Sequence, residues 1–283
     1  MDGPVHIVTG GTGGLGSATA RELGANGSTV VISDLPTQET EAETLAREIR
    51  AAGGSATTDL GDVTDFEYAD ALVESVVDEY GRLDSIINYA GLIRDSYLTK
   101  MTDAAWEQVT DVHLRGHFGL LRSAARHWQT TAEERSGGRA FVCVTSPAAL
   151  GNVGQANYAT AKAGVLGLMR TAAAELDRFD VRVNALLPIA HTAMTESFLD
   201  PEEYPPEKVA PVAAFLASEK AADVSGCTVR AAGDSVGLVS NPELERVAFN
   251  EGGWDVDALE TRIESVFGDE ANRSRTDPRP ERN

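Results

Sequence analysis

The stretch Val5-His6-Ile7-Val8-Thr9-Gly10-Gly11-Thr12-Gly13-Gly14-Leu15-Gly16 decides the fold. It opens as a short buried strand, passes through a glycine-rich run, and enters Ser17-Ala18-Thr19-Ala20-Arg21-Glu22-Leu23 at helical spacing. In such a turn, backbone N–H groups approach an anion closely and the positive end of the following helix favours negative charge, so a diphosphate is its natural guest. Gly10, Thr12, Gly14, Leu15 and Gly16 are the candidate contacts. A second strand, Thr29-Val30-Val31-Ile32-Ser33, runs into Asp34. A carboxylate at that place can accept both ribose hydroxyls of an adenosine and repels a 2′-phosphate. A tight structural turn followed by an exposed Asp would be the plainer reading. The full order of strand, turn, helix, strand and acid favours the dinucleotide.

At 283 residues the chain suits one large α/β domain, and 42% hydrophobic residues are enough for a sizeable core. Its 44 acidic against 24 basic residues give a formal charge of -20, which argues against nucleic acid and anionic membranes as partners. So acidic a surface, with few lysines, suits a high-salt cytoplasm and a halophilic host. The only cysteines, Cys143 and Cys227, each lie in an apolar strand-like run and are expected to be buried thiols, neither a disulfide nor a metal site. No apolar run is long enough to cross a bilayer and no leader precedes the first strand, so a soluble, cytoplasmic protein is expected.

Beyond Asp34 the pattern keeps alternating. Ala42, Leu45, Ala46 and Ile49 mark a helix over residues 39–52, and Ser55 to Leu60 reads as a third strand. Asp62, with Val63 beside it, is placed either to bond an adenine amino group or to cap a loop or helix. A helix over 69–80 leads to a fourth strand, Ser85-Ile86-Ile87-Asn88, ending in Tyr89-Ala90-Gly91, where small residues let a flat cofactor lie against the backbone. A capped helix starts at Thr102 and runs to about Trp128. Within it His113 and His117 stand one turn apart, but no third ligand accompanies them, so no metal is expected. A strand Arg139 to Val144 ends in Thr145-Ser146, and a loop then opens into Tyr158-Ala159-Thr160-Ala161-Lys162.

Tyr158 and Lys162 project from one helical face. An ammonium beside a phenol stabilises the phenolate and lowers its pKa, which makes the tyrosine a usable acid and base. A hydroxyl at Thr145 or Ser146 can bind the same substrate oxygen, completing an alcohol/carbonyl site. Small residues at Ala159, Ala161, Ala163, Gly164 and Gly167 point to close packing of this helix, in keeping with a homodimer or homotetramer. The strand Val181 to Leu187 is expected to end at Pro188, with Ile189 and Thr192 near a nicotinamide. Residues 195–206 form a lid candidate, and a strand from Cys227 to Ala231 closes the sheet. The fold is thus a Rossmann-like doubly wound parallel sheet over residues 1–239, with a helical extension over 240–269 and a charged tail, 270–283, expected to be disordered.

The residues Thr9-Gly10, Gly14, Gly16, Asp34, Asn88-Tyr89-Ala90-Gly91 and Tyr158-x-x-x-Lys162 resemble the classical short-chain dehydrogenase/reductase family. Two groups within it look nearest: the (3R)-hydroxyacyl-CoA dehydrogenase domains of peroxisomal multifunctional enzymes and the 3-oxoacyl-(acyl-carrier-protein) reductases. The resemblance implies Tyr158 as acid/base, Lys162 as its tuner and ribose anchor, and Thr145 or Ser146 as the orienter of substrate oxygen. It also puts His113 where the family holds an Asn for a proton-relay water, and Ala90, Gly91, Asn88, Pro188, Ile189 and Thr192 around an NAD cofactor. The family's serine falls on Thr145 in a gapless register, one step from Ser146. The expected activity is NAD(H)-dependent interconversion of a secondary alcohol and a ketone, as a 3-hydroxyacyl/3-oxoacyl thioester carried on CoA or acyl-carrier protein. Another small alcohol, polyol or steroid, or a catalytically idle dinucleotide sensor, is the alternative.

Overall fold

The computed structural model describes residues 3–133, 138–244, 246–262 and 264–265. Its first part alternates strand and helix: β1 (Val5–Thr9), α1 (Gly14–Ala25), β2 (Thr29–Asp34), α2 (Glu39–Ala51), β3 (Ser55–Leu60), α3 (Phe66–Tyr80) and β4 (Ser85–Asn88). The long helical segment follows as α4 (Asp103–Thr110), a π turn (Asp111–Arg115) and α5 (Gly116–Thr130). Then come β5 (Arg139–Val144), α6 (Ala156–Leu176), β6 (Val181–Ile189), α7 (Ala210–Ala217), β7 (Thr228–Ala232) and β8 (Ser235–Val239). The strands form one sheet in the order β3-β2-β1-β4-β5-β6-β7-β8, parallel as far as β7. The order reverses between β1 and β4, which opens a crevice beyond the carboxyl ends of those strands.

Local sequence explains the elements. The central strands are buried on both faces, as continuous apolar runs in a parallel sheet must be. Their alternation sorts side chains between two cores: Ile7, Ile86 and Phe141 join Leu72, Leu120, Trp128 and Met169 on one face. Val8, Ile87 and Val142 join Leu23, Leu45, Ile49 and Leu216 on the other. The Asp65 carboxylate caps α3 by accepting the Glu67 N–H, and the Thr102 hydroxyl caps α4 through the Ala105 N–H at 3.2 Å.

The structure departs from expectation in several places. The sheet closes on an additional strand: β7 turns through Gly233-Asp234 into antiparallel β8, an edge strand whose Val236 and Leu238 are exposed. Pro188 does not end the ladder, because β6 pairs with β7 through Pro188↔Ala231 and Ile189↔Ala232. The last β5 pair is Val144↔Leu186, so Pro188 sits where β6 has a sheet neighbour on one side only. Cys143 is buried but Cys227 is only partly so, since it precedes β7. The described residues from Ser240 onward belong to a second compact unit and contain one regular element, α8 (Val256–Thr261). Its described residues ahead of α8 are irregular: Pro242 lacks an amide donor, and Gly252 and Gly253 have φ of 88° and 95°. The tail 270–283 lies outside the described residues.

His6 on β1 is buried, with Nδ1 2.7 Å from the Ser85 hydroxyl and Nε2 3.2 Å from that of Ser28. Burial lowers its pKa from 6.5 to about 4, against the pull of Asp84. On acidification the unfolded chain therefore binds this proton first. Stability that is whole above pH 6.5 is lost as pH falls towards about 4, by about 3 kcal/mol in total. Thermal unfolding of wild type and His6→Val across that range checks this: the stability gap between them should narrow as pH falls, and parallel curves would discard the role given to His6.

Candidate active site

The glycine turn, the end of β2 and the end of β4 converge on the crevice. Gly10 has φ of 60°, and a Cβ there would come within 2.7 Å of Ala90 N. A Cβ on Gly16 would overlap Gly10 O, so the turn, α1 and β4 approach as only glycine allows. Gly13 precedes α1 in extended conformation and places no side chain over the helix N-terminus. Leu15 turns instead to the hydrophobic core. Gly14 faces Thr192, a Cβ there lying 3.3 Å from Thr192 Cγ2, which brings the segment after β6 across the same opening. Pro188 and Ile189 are half-buried at the end of β6.

Asp34 is held by the turn it faces. Its Oδ2 accepts the Thr12 N–H at 3.0 Å and the Thr12 hydroxyl at 2.7 Å, while Oδ1 accepts the Leu35 N–H at 2.9 Å. Asp62 is exposed and its Oδ1 accepts the Thr64 N–H at 2.9 Å, the loop-capping arrangement. Val63 is buried beneath it against Gly116. Asn88 is buried at the end of β4, its Oδ1 accepting from the Thr9 hydroxyl at 2.6 Å and from Ala90 N–H at 3.1 Å. Its Nδ2 has no partner. A buried amide donor left open beside a glycine cradle and an uncapped helix start fits a polar dinucleotide completing the site. Tyr89, where the resemblance has a second Asn, reaches the other way and bonds the Thr19 hydroxyl of α1 at 2.8 Å.

The second half of the site is built on α6 and β5. Lys162 is buried, and its Nζ donates to Val144 O at 2.6 Å and lies 5.6 Å from the centre of the Tyr158 ring. Burial pulls its pKa down to about 7, opposed by the neighbouring Cys143. The Cys143 thiol is pushed up to about 12, again by burial, and stays neutral. For Tyr158 the expectation of an acidified phenol is not met: burial drives its pKa upward, the Ser146 hydroxyl bond lowers it, and Asp95 raises it further. Desolvation of the phenolate outweighs its neighbours.

Ser146 is thus the hydroxyl placed beside Tyr158, and it also accepts the Ala148 N–H at 3.2 Å. Thr145, one residue earlier, is buried and donates to Lys162 O at 3.2 Å, which commits its hydroxyl to the backbone of α6. His113 lies on the π turn, its ring edge-on to Tyr158 with centroids 4.9 Å apart. Its Nε2 is 2.7 Å from Leu92 O and 3.2 Å from Leu92 N, and the shorter contact makes Nε2 the donor. Nδ1 then carries a lone pair, buried and without a partner. Burial, with Lys162 next, holds this imidazole well below its usual pKa and neutral. Among the described residues no cluster of three or more His, Cys, Asp or Glu side chains is placed to hold a metal ion.

Sequence reasoning missed Asn157. Its buried amide donates to Arg94 O and Ala105 O, both at 3.0 Å, and its Oδ1 accepts the Tyr158 N–H at 2.8 Å. It ties the start of α6 to two segments far away in the chain. The only signal was an Asn directly before the tyrosine.

A family model described as short chain dehydrogenase matches residues 4–203. Hydroxyacyl-CoA dehydrogenase ChsB1 of Mycobacterium tuberculosis is 39% identical over 287 residues, covering 94% of this chain and 89% of its own. The 3-oxoacyl-[acyl-carrier-protein] reductase FabG of Thermotoga maritima is 34% identical over 242 residues, covering 80% of this chain and 95% of its own. A crystal structure of a short chain dehydrogenase from Mycobacterium avium shares the fold with a TM-score of 0.87 at 32% identity, covering 94% of this chain and 95% of that one. Together with the glycine cradle at the sheet's reversal and the Tyr158/Lys162 pair on α6, these matches mean that the chain belongs to the short-chain dehydrogenase family, oxidoreductases that act on CH–OH groups with a nicotinamide cofactor.

Proposed function

We propose that this chain is an NAD(H)-dependent dehydrogenase that interconverts 3-hydroxyacyl and 3-oxoacyl thioesters. The observation that carries the reading is the Tyr158 ring with the buried Lys162 ammonium 5.6 Å from its centre, beside the end of β5. Bound at Gly10–Gly16 and Asp34, the nicotinamide cofactor would supply the hydride chemistry. The remaining steps fall to side chains. The Ser146 hydroxyl orients the substrate oxygen, and Tyr158 Oη gives that oxygen a proton in reduction or takes one in oxidation. The Lys162 ammonium stabilises the phenolate and reaches for the ribose hydroxyls, and the open Nδ1 of His113 accepts a hydrogen bond in the proton path. Asp34, with Leu35-Pro36 after it and no basic residue, supports NAD over NADP.

The thioester is supported by the names of the relatives and by apolar side chains on the loops beyond β4 and β5 and in the lid. Tyr97, Leu98, Leu150, Val153 and Phe198 are 64%, 75%, 71%, 69% and 70% exposed. The Ser96 N–H donates to Gly154 O at 2.8 Å, joining the first two of these loops just ahead of Tyr158. Such a rim suits a long acyl body rather than a polyol. The same reading includes a salt-rich cytoplasm, argued from the charge of -20. It also includes a homodimer or homotetramer using the Ala163 and Gly167 face of α6. No helix among the described residues is long and apolar enough to cross a membrane.

Tyr158→Phe should lower kcat about 10³-fold while NADH affinity, read by fluorescence titration, stays within about threefold; undiminished turnover would mean that the chain is not this enzyme. Ser146→Ala should cost about 10²-fold in kcat, whereas Thr145→Val should mainly lower the melting temperature, and the reverse ranking would restore Thr145 as the orienter. In an assay of acetoacetyl-CoA and longer 3-oxoacyl-CoA esters in high salt, NADH should outperform NADPH by at least about tenfold, and KM should fall with chain length by a few-fold or more. A preference for NADPH, or for polyols, would overturn the assignment.

A further inference from the structure

His117, one turn beyond His113, is buried and has no part in the chemistry above. Its Nε2 lies 3.2 Å from Val144 N and its Nδ1 2.5 Å from His113 O. A backbone N–H can only donate, so Nε2 must offer a lone pair. A carbonyl can only accept, so Nδ1 must hold the proton. The two contacts therefore lock the ring as the neutral Nδ1–H tautomer, with neither nitrogen free. Burial, reinforced by Lys162, depresses the pKa of the ring to about 3, in accord with that state.

The two backbone groups it joins are not arbitrary. Val144 is the residue whose carbonyl takes the Lys162 ammonium at 2.6 Å, and His113 is the residue whose ring packs against Tyr158. One imidazole thus joins the π turn to the last residue of β5, which lies 27 positions beyond His117 in the chain. The titratable groups around it are Lys162 on α6, Cys143 on β5 and His113 on its own helix, and Phe141 packs at 6.5 Å between ring centres.

We propose that His117 is a positioning residue for this active site: it fixes the separation of the π turn from the end of β5, and through Val144 and His113 it sets where Lys162 and Tyr158 stand relative to each other. The proposal rests on the reading of Tyr158 and Lys162 as the reacting pair. Because the site is a rigid constellation, a small displacement of its members costs rate without costing cofactor binding.

Selective 15N-histidine labelling and NMR of the wild-type protein at pH 7 should show His117 as the Nδ1–H tautomer; an Nε2–H or doubly protonated ring would overturn the proposal. His117→Leu removes both contacts. It should lower kcat by about tenfold or more, move the pH midpoint of kcat for alcohol oxidation to higher pH as the displaced Lys162 ammonium stabilises the phenolate less, and leave the KM for the cofactor within about twofold. His117→Gln can present its amide oxygen at the Nε2 position to Val144 N–H and should recover most of the rate and the midpoint; His117→Asn keeps only the donor to His113 O and should recover less. A lowered melting temperature with unchanged kcat and pH midpoint in all three variants, or a Gln variant no better than the Leu variant, would leave His117 a merely structural residue. Should His117→Leu not fold, the tautomer measurement and the Gln/Asn ranking still decide. Tyr158→Phe run beside them separates the two readings: if it keeps turnover the site assignment fails, and if it alone loses turnover only the positioning role fails.

Discussion

A lysine ammonium enclosed by protein is the constraint around which the site is arranged. Taking such a charge out of water costs several kcal/mol unless the surroundings compensate. Lys162 has a single backbone carbonyl, Val144 O, as its close acceptor, and lies over the face of an aromatic ring. Everything else near it is kept uncharged: the Cys143 thiol, the His113 imidazole and the His117 imidazole are all held in neutral forms by burial. With no carboxylate paired to it, the ammonium titrates near neutrality. An ammonium in that balance responds to what is bound beside it more readily than one held in a permanent ion pair.

The cofactor side follows another logic, preorganisation by short polar contacts. Thr12 uses both its amide and its hydroxyl to aim Asp34, so the direction of the carboxylate and the shape of the glycine turn are one unit. Asn88 does the same for β4, spending its oxygen on Thr9 and Ala90 and leaving its amide donor open. Tyr89 shows how a departure from the family pattern is absorbed: its hydroxyl finds Thr19 on α1.

Much of this was legible from residue order. Strands β1, β2, β4, β5 and β6 announce themselves because both faces are buried, and the turn after β1 because close approach admits only glycine. Tyr158 and Lys162 were legible because four-residue spacing is intrinsic to a helix. What was illegible depended on long-range geometry. Whether Thr145 or Ser146 serves the phenol turns on which hydroxyl is committed to the backbone of α6, a matter of a single step in register. His117 reads in sequence only as a histidine four places after another, since its second partner lies on a strand 27 residues on. The direction of the Tyr158 shift was misread because spacing reveals the nearby cation but not the depth of burial. Strand β8 is five residues at the sheet's edge, joined to β7 by a two-residue turn, and its place was set by that pairing.

The π turn between α4 and α5 makes one rod behave as two with separate phases. Gly116 N–H reaches back to Asp111 O, one residue further than an α-helix would, and His113 sits inside the widened loop. Deleting a single residue there would restore ordinary winding and leave α4 and α5 in register with each other, at the cost of the wide turn that sets the His113 ring edge-on to Tyr158. The extra residue of the turn is thus what brings an imidazole to the tyrosine without disturbing the packing of either helix.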